Sequence, residues 1–183
     1  MTMRKIMWYI LLVLFFLPFH SCIEVSVTNT ATTVNEWMGR KICFPVHSVF
    51  TMKGNEKSDY GIPKSDYKIV SYVDTAGCLS CKLELSRWEG LMHEIENSHS
   101  GRTVSLLLYV YPKKKEDVEN LLYYEDFIYP ICIDMRNEFD KINNFPKNER
   151  LRTFLLNKDD EVIAIGNPTY NIAVKELYFE VIK

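Results

Sequence analysis

Residues 68–81 read KIVSYVDTAGCLSC, a β-branched and aromatic run followed by two cysteines three positions apart. The run from 68 to 73 is typical of a buried strand. From the second cysteine onward, apolar residues recur at alternating spacings of four and three, as on one face of an amphipathic helix; they are Cys81, Leu85, Trp88, Met92 and Ile95. The sequence therefore predicts that both cysteines lie where a strand gives way to a helix.

This position favours redox chemistry at the cysteine pair. The first turn of a helix leaves backbone N–H groups unpaired, and the helix dipole adds partial positive charge, so a thiolate at Cys78 is stabilised there. Cys81 lies one turn further on, where it can close a ring with Cys78. We expect Cys78 to attack a substrate disulfide and Cys81 to resolve the mixed disulfide. The same spacing also suits a structural disulfide or two inert thiols, so that alternative stays open.

Strands and helices alternate after the motif. Further strands are predicted at residues 103–111, 131–133, 153–156 and 162–165, and further helices at residues 116–124, 137–143 and 171–182. The tight-turn composition of residues 157–160 makes the last two strands a hairpin. Strand-helix-strand units place their strands in parallel. We therefore predict an α/β fold, with a mixed central sheet in which only the last hairpin is antiparallel and with helices on both faces.

The first residues of the chain have the layout of an export signal. Arg4 and Lys5 precede an apolar run over residues 6–17, which is shorter than the ~20 residues that a membrane-spanning helix needs. Ser21 then precedes Cys22, and this stretch resembles the lipobox of bacterial lipoproteins. The resemblance implies a lipoprotein-type signal peptide over residues 1–21 and lipidation of Cys22. A plainly cleaved secretory signal and an uncleaved anchor are the alternatives. All three place the remaining chain outside the cytoplasm, in the cell envelope, where disulfides can form.

The remaining chain divides into a lead-in and a main domain. We expect residues 22–66 to form a tether and an N-terminal hairpin or loop, and residues 67–183 to form the α/β domain. With 22 basic and 24 acidic side chains, the chain has no excess of positive charge for a nucleic-acid surface. The sequence also contains no phosphate loop, Ser/His/Asp triad or pair of catalytic carboxylates. We therefore expect no nucleic-acid partner and no cofactor.

The cysteine motif and three further segments resemble the thioredoxin superfamily, most closely the TlpA-like thiol-disulfide oxidoreductases of the bacterial envelope. The segments are residues 68–73, residues 129–134 (YPICID) and residues 153–162 (TFLLNKDDEV). The chain is also similar to lipid-anchored thioredoxin-like proteins of Bacteroides-type bacteria. The resemblance implies a thioredoxin-like three-layer fold with an N-terminal extension, and Cys78 and Cys81 as the attacking and resolving thiols. It also implies protein thiols or disulfides, or an envelope electron donor, as partners.

Several positions depart from the family pattern. The family usually has Trp where this chain has Gly77, and Leu79 and Ser80 separate the two cysteines. Leu151 and Arg152 occupy the place of the family's cis-proline. A cis bond without proline costs ~3 kcal/mol, so we predict trans bonds and an altered substrate groove that includes all five residues.

A further departure concerns proton transfer, because Tyr72 stands where the family has a strand acid that can accept a proton.

Other constellations suggest weaker alternatives. Cys78, Cys81, His93 and His99 approach the spacing of a zinc finger, but cysteines at a helix start rather than on a hairpin argue against it, so we expect no metal. Thr75, three residues before Cys78, is reminiscent of the Thr-x-x-Cys of peroxiredoxins and raises a thiol peroxidase as an alternative. A redox-silent binding or scaffold lipoprotein with a static disulfide is the main alternative function.

The two other cysteines of the predicted domain and its lead-in, Cys43 and Cys132, are expected to be small buried hydrophobic residues.

Overall fold

The computed structural model describes residues 30–52, 55–57, 61–75, 78–98 and 101–183. The predicted signal, Cys22, Gly77 and His99 lie outside these residues. The chain divides into two compact units, residues 1–35 and residues 36–183. Residues 30–37 are helical. Within the described ranges, no helix has both the length and the apolar character needed to cross a membrane.

Strands and helices of the larger unit follow the predicted order. The strands are β1 (Phe50–Met52), β2 (Asn55–Lys57), β3 (Tyr67–Asp74), β4 (Val104–Tyr111), β5 (Ile131–Ile133), β6 (Thr153–Leu156) and β7 (Val162–Ile165). The helices are α1 (Leu79–Leu83), α2 (Leu85–Asn97), α3 (Lys115–Glu125), α4 (Glu138–Asn143) and α5 (Ile172–Ile182), with a 3-10 helix at Glu149–Leu151. The elements predicted from residue 68 onward are confirmed to within one or two residues at their ends, apart from the break between α1 and α2.

The described strands form one mixed sheet in the order β2-β1-β5-β4-β3-β6-β7. β3, β4 and β5 are parallel, as the strand-helix-strand pattern predicts. The prediction that only the last hairpin is antiparallel is wrong, because β6 also runs antiparallel to β3 and β1 antiparallel to β5. A short apolar run signals a buried strand without indicating the direction in which it enters the sheet.

The lead-in covers the outer edge of β7. The Gly39 N–H donates to the Val162 carbonyl, the Val162 N–H donates to the Arg40 carbonyl, and the Ile42 N–H donates to the Asp160 carbonyl, at 2.8, 2.9 and 2.9 Å. These bonds surround an isolated antiparallel bridge between Lys41 and Glu161 and pair residues 39–42 with residues 160–162. An edge that would otherwise expose unpaired N–H and C=O groups is thereby closed over part of its length.

Both faces of the sheet are covered, and successive residues of a strand point to opposite faces. One face packs against α2, α3 and α5 through Ile69, Leu106, Leu108, Trp88, Leu122 and Tyr178. The other face packs against α4 and the lead-in through a set of aromatic rings, namely Trp37, Phe44, Tyr72, Tyr109, Phe139, Phe145 and Phe154. The predicted three-layer arrangement, with helices on both faces, is confirmed.

The single helix predicted from Cys81 is broken at Glu84. Glu84 has φ 38° and ψ 57°, in the left-handed region, and separates α1 from α2. Its carboxylate forms an ion pair with Arg87. Apolar spacing does not reveal the break, because Leu85 and Trp88 remain on the buried side after it. The cysteine motif therefore lies on a short helix of its own.

Candidate functional site

Cys78 and Cys81 form a disulfide at the start of α1. Their Cα atoms are 5.4 Å apart. Cys78 is the N-cap residue of the helix, with φ −74° and ψ 112°, and its carbonyl accepts a hydrogen bond from the Lys82 N–H at 3.2 Å. Both cysteines are exposed. The strand-to-helix position inferred from the sequence is confirmed, and the bridge is open to solvent.

The two residues between the cysteines differ in their surroundings. Leu79 is half-buried and packs against the main core, which holds the start of α1 in place. Ser80 is exposed, and its Oγ lies 3.5 Å from the Cys78 Sγ. A hydroxyl at this position can donate a hydrogen bond to the sulfur without covering it.

Thr75 joins the end of β3 to the end of β4. Its N–H and its Oγ1 both donate to the Tyr111 carbonyl, at 3.2 and 3.1 Å, and the residue is buried. In a peroxidase the Thr75 hydroxyl would have to interact with Cys78. In this structure, which contains the disulfide, it is bound to the β4 backbone instead.

The segment in the place of the cis-proline forms the 3-10 helix and the residue after it. The bonds that join Leu151, Arg152 and Thr153 are trans, as predicted. Leu151 is buried, and the Arg152 carbonyl accepts from the Tyr72 N–H at 2.9 Å. The Arg152 guanidinium donates to the carbonyls of Pro146 and Lys147, at 2.6 and 3.3 Å. The Arg152 side chain therefore stabilises the loop that contains Pro146 and Lys147.

Lys82 is a site residue that the sequence reasoning missed. Its Nζ donates to the Asp74 carbonyl at 2.9 Å and lies 3.0 Å from a carboxylate oxygen of Glu149. One ammonium therefore connects the end of β3, the helix of the disulfide and the 3-10 helix. The position of Lys82, directly after Cys81, was visible in the sequence. Its partner Glu149 was not, because 67 residues separate the two.

Tyr72, in the place of the family's strand acid, is buried among the aromatic rings. Burial, followed by the nearby carboxylates of Asp140 and Asp74, holds the pKa of its phenol well above the ordinary value. Its hydroxyl donates to the Asn137 Oδ1 at 2.6 Å. A phenol that stays protonated and donates in this way does not serve as a proton acceptor near neutral pH.

The remaining described cysteines are free thiols with opposite surroundings. Cys132 is buried as predicted, and burial, followed by the charge of Asp134, raises the pKa of its thiol to about 12. The prediction of burial is wrong for Cys43, which is exposed. The Asn143 side chain bonds both the N–H and the carbonyl of Cys43, at 2.9 and 2.8 Å, and so holds the backbone of this exposed residue.

The described residues contain no group of three His, Cys, Asp or Glu side chains that could hold a metal ion. His93, one member of the zinc-like spacing, is exposed on α2. Cys78 and Cys81, two further members, are joined to each other.

Comparison with known proteins identifies similar chains, although no family model matches the sequence. Sporulation thiol-disulfide oxidoreductase A of Bacillus subtilis is 28% identical over 120 residues, which are 64% of this chain and 69% of that protein. The thioredoxin domain of a thiol-disulfide oxidoreductase from Bacteroides vulgatus superposes with a TM-score of 0.54 at 12% identity. A candidate thiol:disulfide interchange protein, DsbE, from Chlorobium tepidum superposes with a TM-score of 0.58 at 12% identity. Each superposition covers 80% of this chain and 98% of the other.

The superpositions on these two solved structures establish a thioredoxin-like fold, and at 12% identity they establish the fold alone. Like the name of the Bacillus subtilis relative, the Cys78–Cys81 disulfide at a helix start points to thiol-disulfide chemistry, which is taken up as a proposal below. The chain therefore has a thioredoxin-like fold, and its sequence is similar to that of a thiol-disulfide oxidoreductase.

Proposed function

We propose that this protein catalyses thiol–disulfide exchange, with Cys78 as the attacking thiol and Cys81 as the resolving thiol. The observation that carries the proposal is the exposed disulfide between these residues at the N-terminus of α1. A sulfur must approach the attacked disulfide closely, so access to solvent is a requirement of exchange. A purely structural bridge has no such requirement.

The exchange proceeds in two balanced steps from the dithiol form. The Cys78 thiolate attacks one sulfur of a substrate disulfide and forms a mixed disulfide, and the second substrate sulfur leaves as a thiolate that takes up a proton. Cys81 then loses its proton and attacks the Cys78 sulfur, which closes the Cys78–Cys81 bond and releases the first substrate sulfur. Two electrons pass to the substrate. The reverse sequence oxidises a substrate dithiol, and the relative reduction potentials set the direction.

The substrate groove is assigned to residues on both sides of the disulfide. Leu79 and Ser80 lie on α1, and Leu151 and Arg152 lie at the end of the 3-10 helix. Gly77, which precedes Cys78 in the sequence, is included in the proposal. The ion pair between Lys82 and Glu149 supports this assignment, because it joins the two segments. Leu151 is buried and the Arg152 side chain is bound to carbonyls of its own loop, so this segment is held in place beside α1.

The proposed partners are proteins of the cell envelope that carry thiols or disulfides, or an envelope electron donor. The export-type leader of residues 1–21 supports this location, and a compartment that permits disulfides suits the Cys78–Cys81 bridge. Lipidation of Cys22 would tether the domain to a membrane.

A labelling experiment tests the anchor. When the protein is expressed in a bacterium that processes lipoproteins, labelled palmitate should appear on the wild type and disappear in Cys22→Ala. Cys43→Ala, which removes another exposed cysteine, should keep the label. Label that persists in Cys22→Ala would refute lipidation at this residue.

A trapping experiment tests the proposed chemistry. Cys81→Ser cannot resolve the mixed disulfide, so Cys78 should accumulate adducts with partner proteins in an envelope extract under non-reducing conditions. The Cys78→Ser/Cys81→Ser double variant is the control and should form none. If Cys81→Ser also forms no adducts, the disulfide is static and the scaffold function replaces the enzyme.

A further inference from the structure

The Lys82 side chain reaches back toward the residues that precede the disulfide. Its backbone N–H donates to the Cys78 carbonyl, so Lys82 lies one helical turn after Cys78. Its Nζ donates to the carbonyl of Asp74, the last residue of β3. Side chains of a helix point toward its N-terminus, and the contact with Asp74 places the ammonium toward the residues that precede Cys78.

Glu149, in the 3-10 helix, binds the same ammonium. Its carboxylate lies 3.0 Å from the Lys82 Nζ. The Glu149 side chain is 57% exposed and the Lys82 side chain is 23% exposed. An ion pair with this exposure is weakened by solvent, so its members can exchange partners without disturbing the fold. The carboxylate therefore competes for Lys82 with any anion that forms nearby.

We propose that Lys82 stabilises the Cys78 thiolate and that Glu149 moderates this effect by sharing the ammonium. The inference rests on the proposed function. When an external dithiol reduces the bridge, the dithiol itself becomes a disulfide and Cys78 and Cys81 become thiols. Cys78 then loses a proton to water, and its thiolate attracts the cation that Glu149 held. Lys82 is an electrostatic positioning residue, and Glu149 acts through it.

Other charges lie at the same edge of the sheet and form a constant background. They are Asp74 at the end of β3, Arg150 in the 3-10 helix, and Lys113, Lys114, Glu116 and Asp117 around the start of α3, a helix that contacts α1. Arg152 is bound to carbonyls of its own loop. Substitutions of Lys82 and Glu149 leave all these groups unchanged. Differences in Cys78 reactivity between these variants therefore measure the effect of the ion pair.

The test is the pH dependence of iodoacetamide alkylation at Cys78 in the reduced protein, followed by mass spectrometry of the Cys78 peptide. Lys82→Met should shift the midpoint to higher pH and slow alkylation below the midpoint by about threefold, since a nearby cation favours the thiolate and solvent weakens the effect. Lys82→Arg should restore the wild-type profile. Glu149→Gln should accelerate alkylation by a smaller factor, and this gain should vanish in Lys82→Met/Glu149→Gln.

The ion pair between Lys175 and Glu94 supplies a matched control. Its atoms are 2.8 Å apart, its exposure is similar, and it connects α5 to α2. Lys175→Met and Glu94→Gln change the net charge in the same way and should leave the profile unaltered. The inference is overturned if Lys82→Met leaves the midpoint of the alkylation profile unchanged, or if Glu149→Gln accelerates alkylation even when Lys82 is absent. In either case, fast alkylation of the wild-type Cys78 would leave the proposed function standing. A wild-type Cys78 no faster than a peptide thiol overturns both.

Discussion

Cys78→Ser is expected to abolish disulfide exchange in both directions, with a loss of about 10³-fold or more in rate. A serine hydroxyl is hardly ionised near neutral pH and cannot form a disulfide, so neither the attack nor the mixed disulfide is possible. The measurement is the rate at which small amounts of the protein accelerate reduction of a protein disulfide by dithiothreitol. Circular dichroism of the variant should match that of the wild type, because the bridge joins residues only three positions apart.

Cys43→Ser provides the control for this loss. Cys43 is an exposed free thiol whose backbone is held by Asn143, away from the α1 motif in sequence, and its replacement should leave the rate unchanged. Cys81→Ser should differ from both variants, because Cys78 can still attack a substrate disulfide but the mixed disulfide can no longer be resolved by Cys81. If Cys78→Ser keeps more than about a tenth of the wild-type rate, another thiol performs the attack and the assignment of roles is wrong.

The predictable part of this fold is the part that local pattern controls. Strand β3, the helix stripe after Cys81 and the turn at residues 157–160 each carry their own periodicity or turn chemistry, so the order of elements and the place of the disulfide could be read from sequence. The break at Glu84 was hidden for the same reason, because the apolar stripe continues across it.

The unpredictable part consists of contacts between distant segments. Residues 39–42 complete the edge of β7, Asn143 fixes the backbone of Cys43, and Glu149 binds Lys82. Each contact depends on how the sheet brings segments together, and no local spacing encodes it. Cys43 is an example, because its thiol is exposed where a free cysteine is usually buried, and its backbone is held by a residue 100 positions away.

Phe139→Ala should produce the largest loss of stability that we predict. Phe139 is fully buried on α4, its ring stacks on Tyr109 with centroids 3.9 Å apart, and it meets the Phe145 ring edge-on at 4.9 Å. Removing a buried phenylalanine costs about 3–5 kcal/mol, from lost burial and the cavity left behind. Since a domain of this kind has a free energy of unfolding of about 5–15 kcal/mol, the variant should unfold at a much lower urea concentration.

Ile142→Ala is the matched control on the same helix. Ile142 is 51% exposed, so its truncation should change the free energy of unfolding by no more than about 0.5 kcal/mol. The contrast between two truncations on α4 separates burial against the sheet from helix propensity, which alanine satisfies in both variants. A Phe139→Ala loss below about 1 kcal/mol would mean that α4 and the lead-in do not close this face of the sheet. The aromatic rings, Tyr72 among them, would then not hold the loop of Arg152 in place beside the proposed substrate groove.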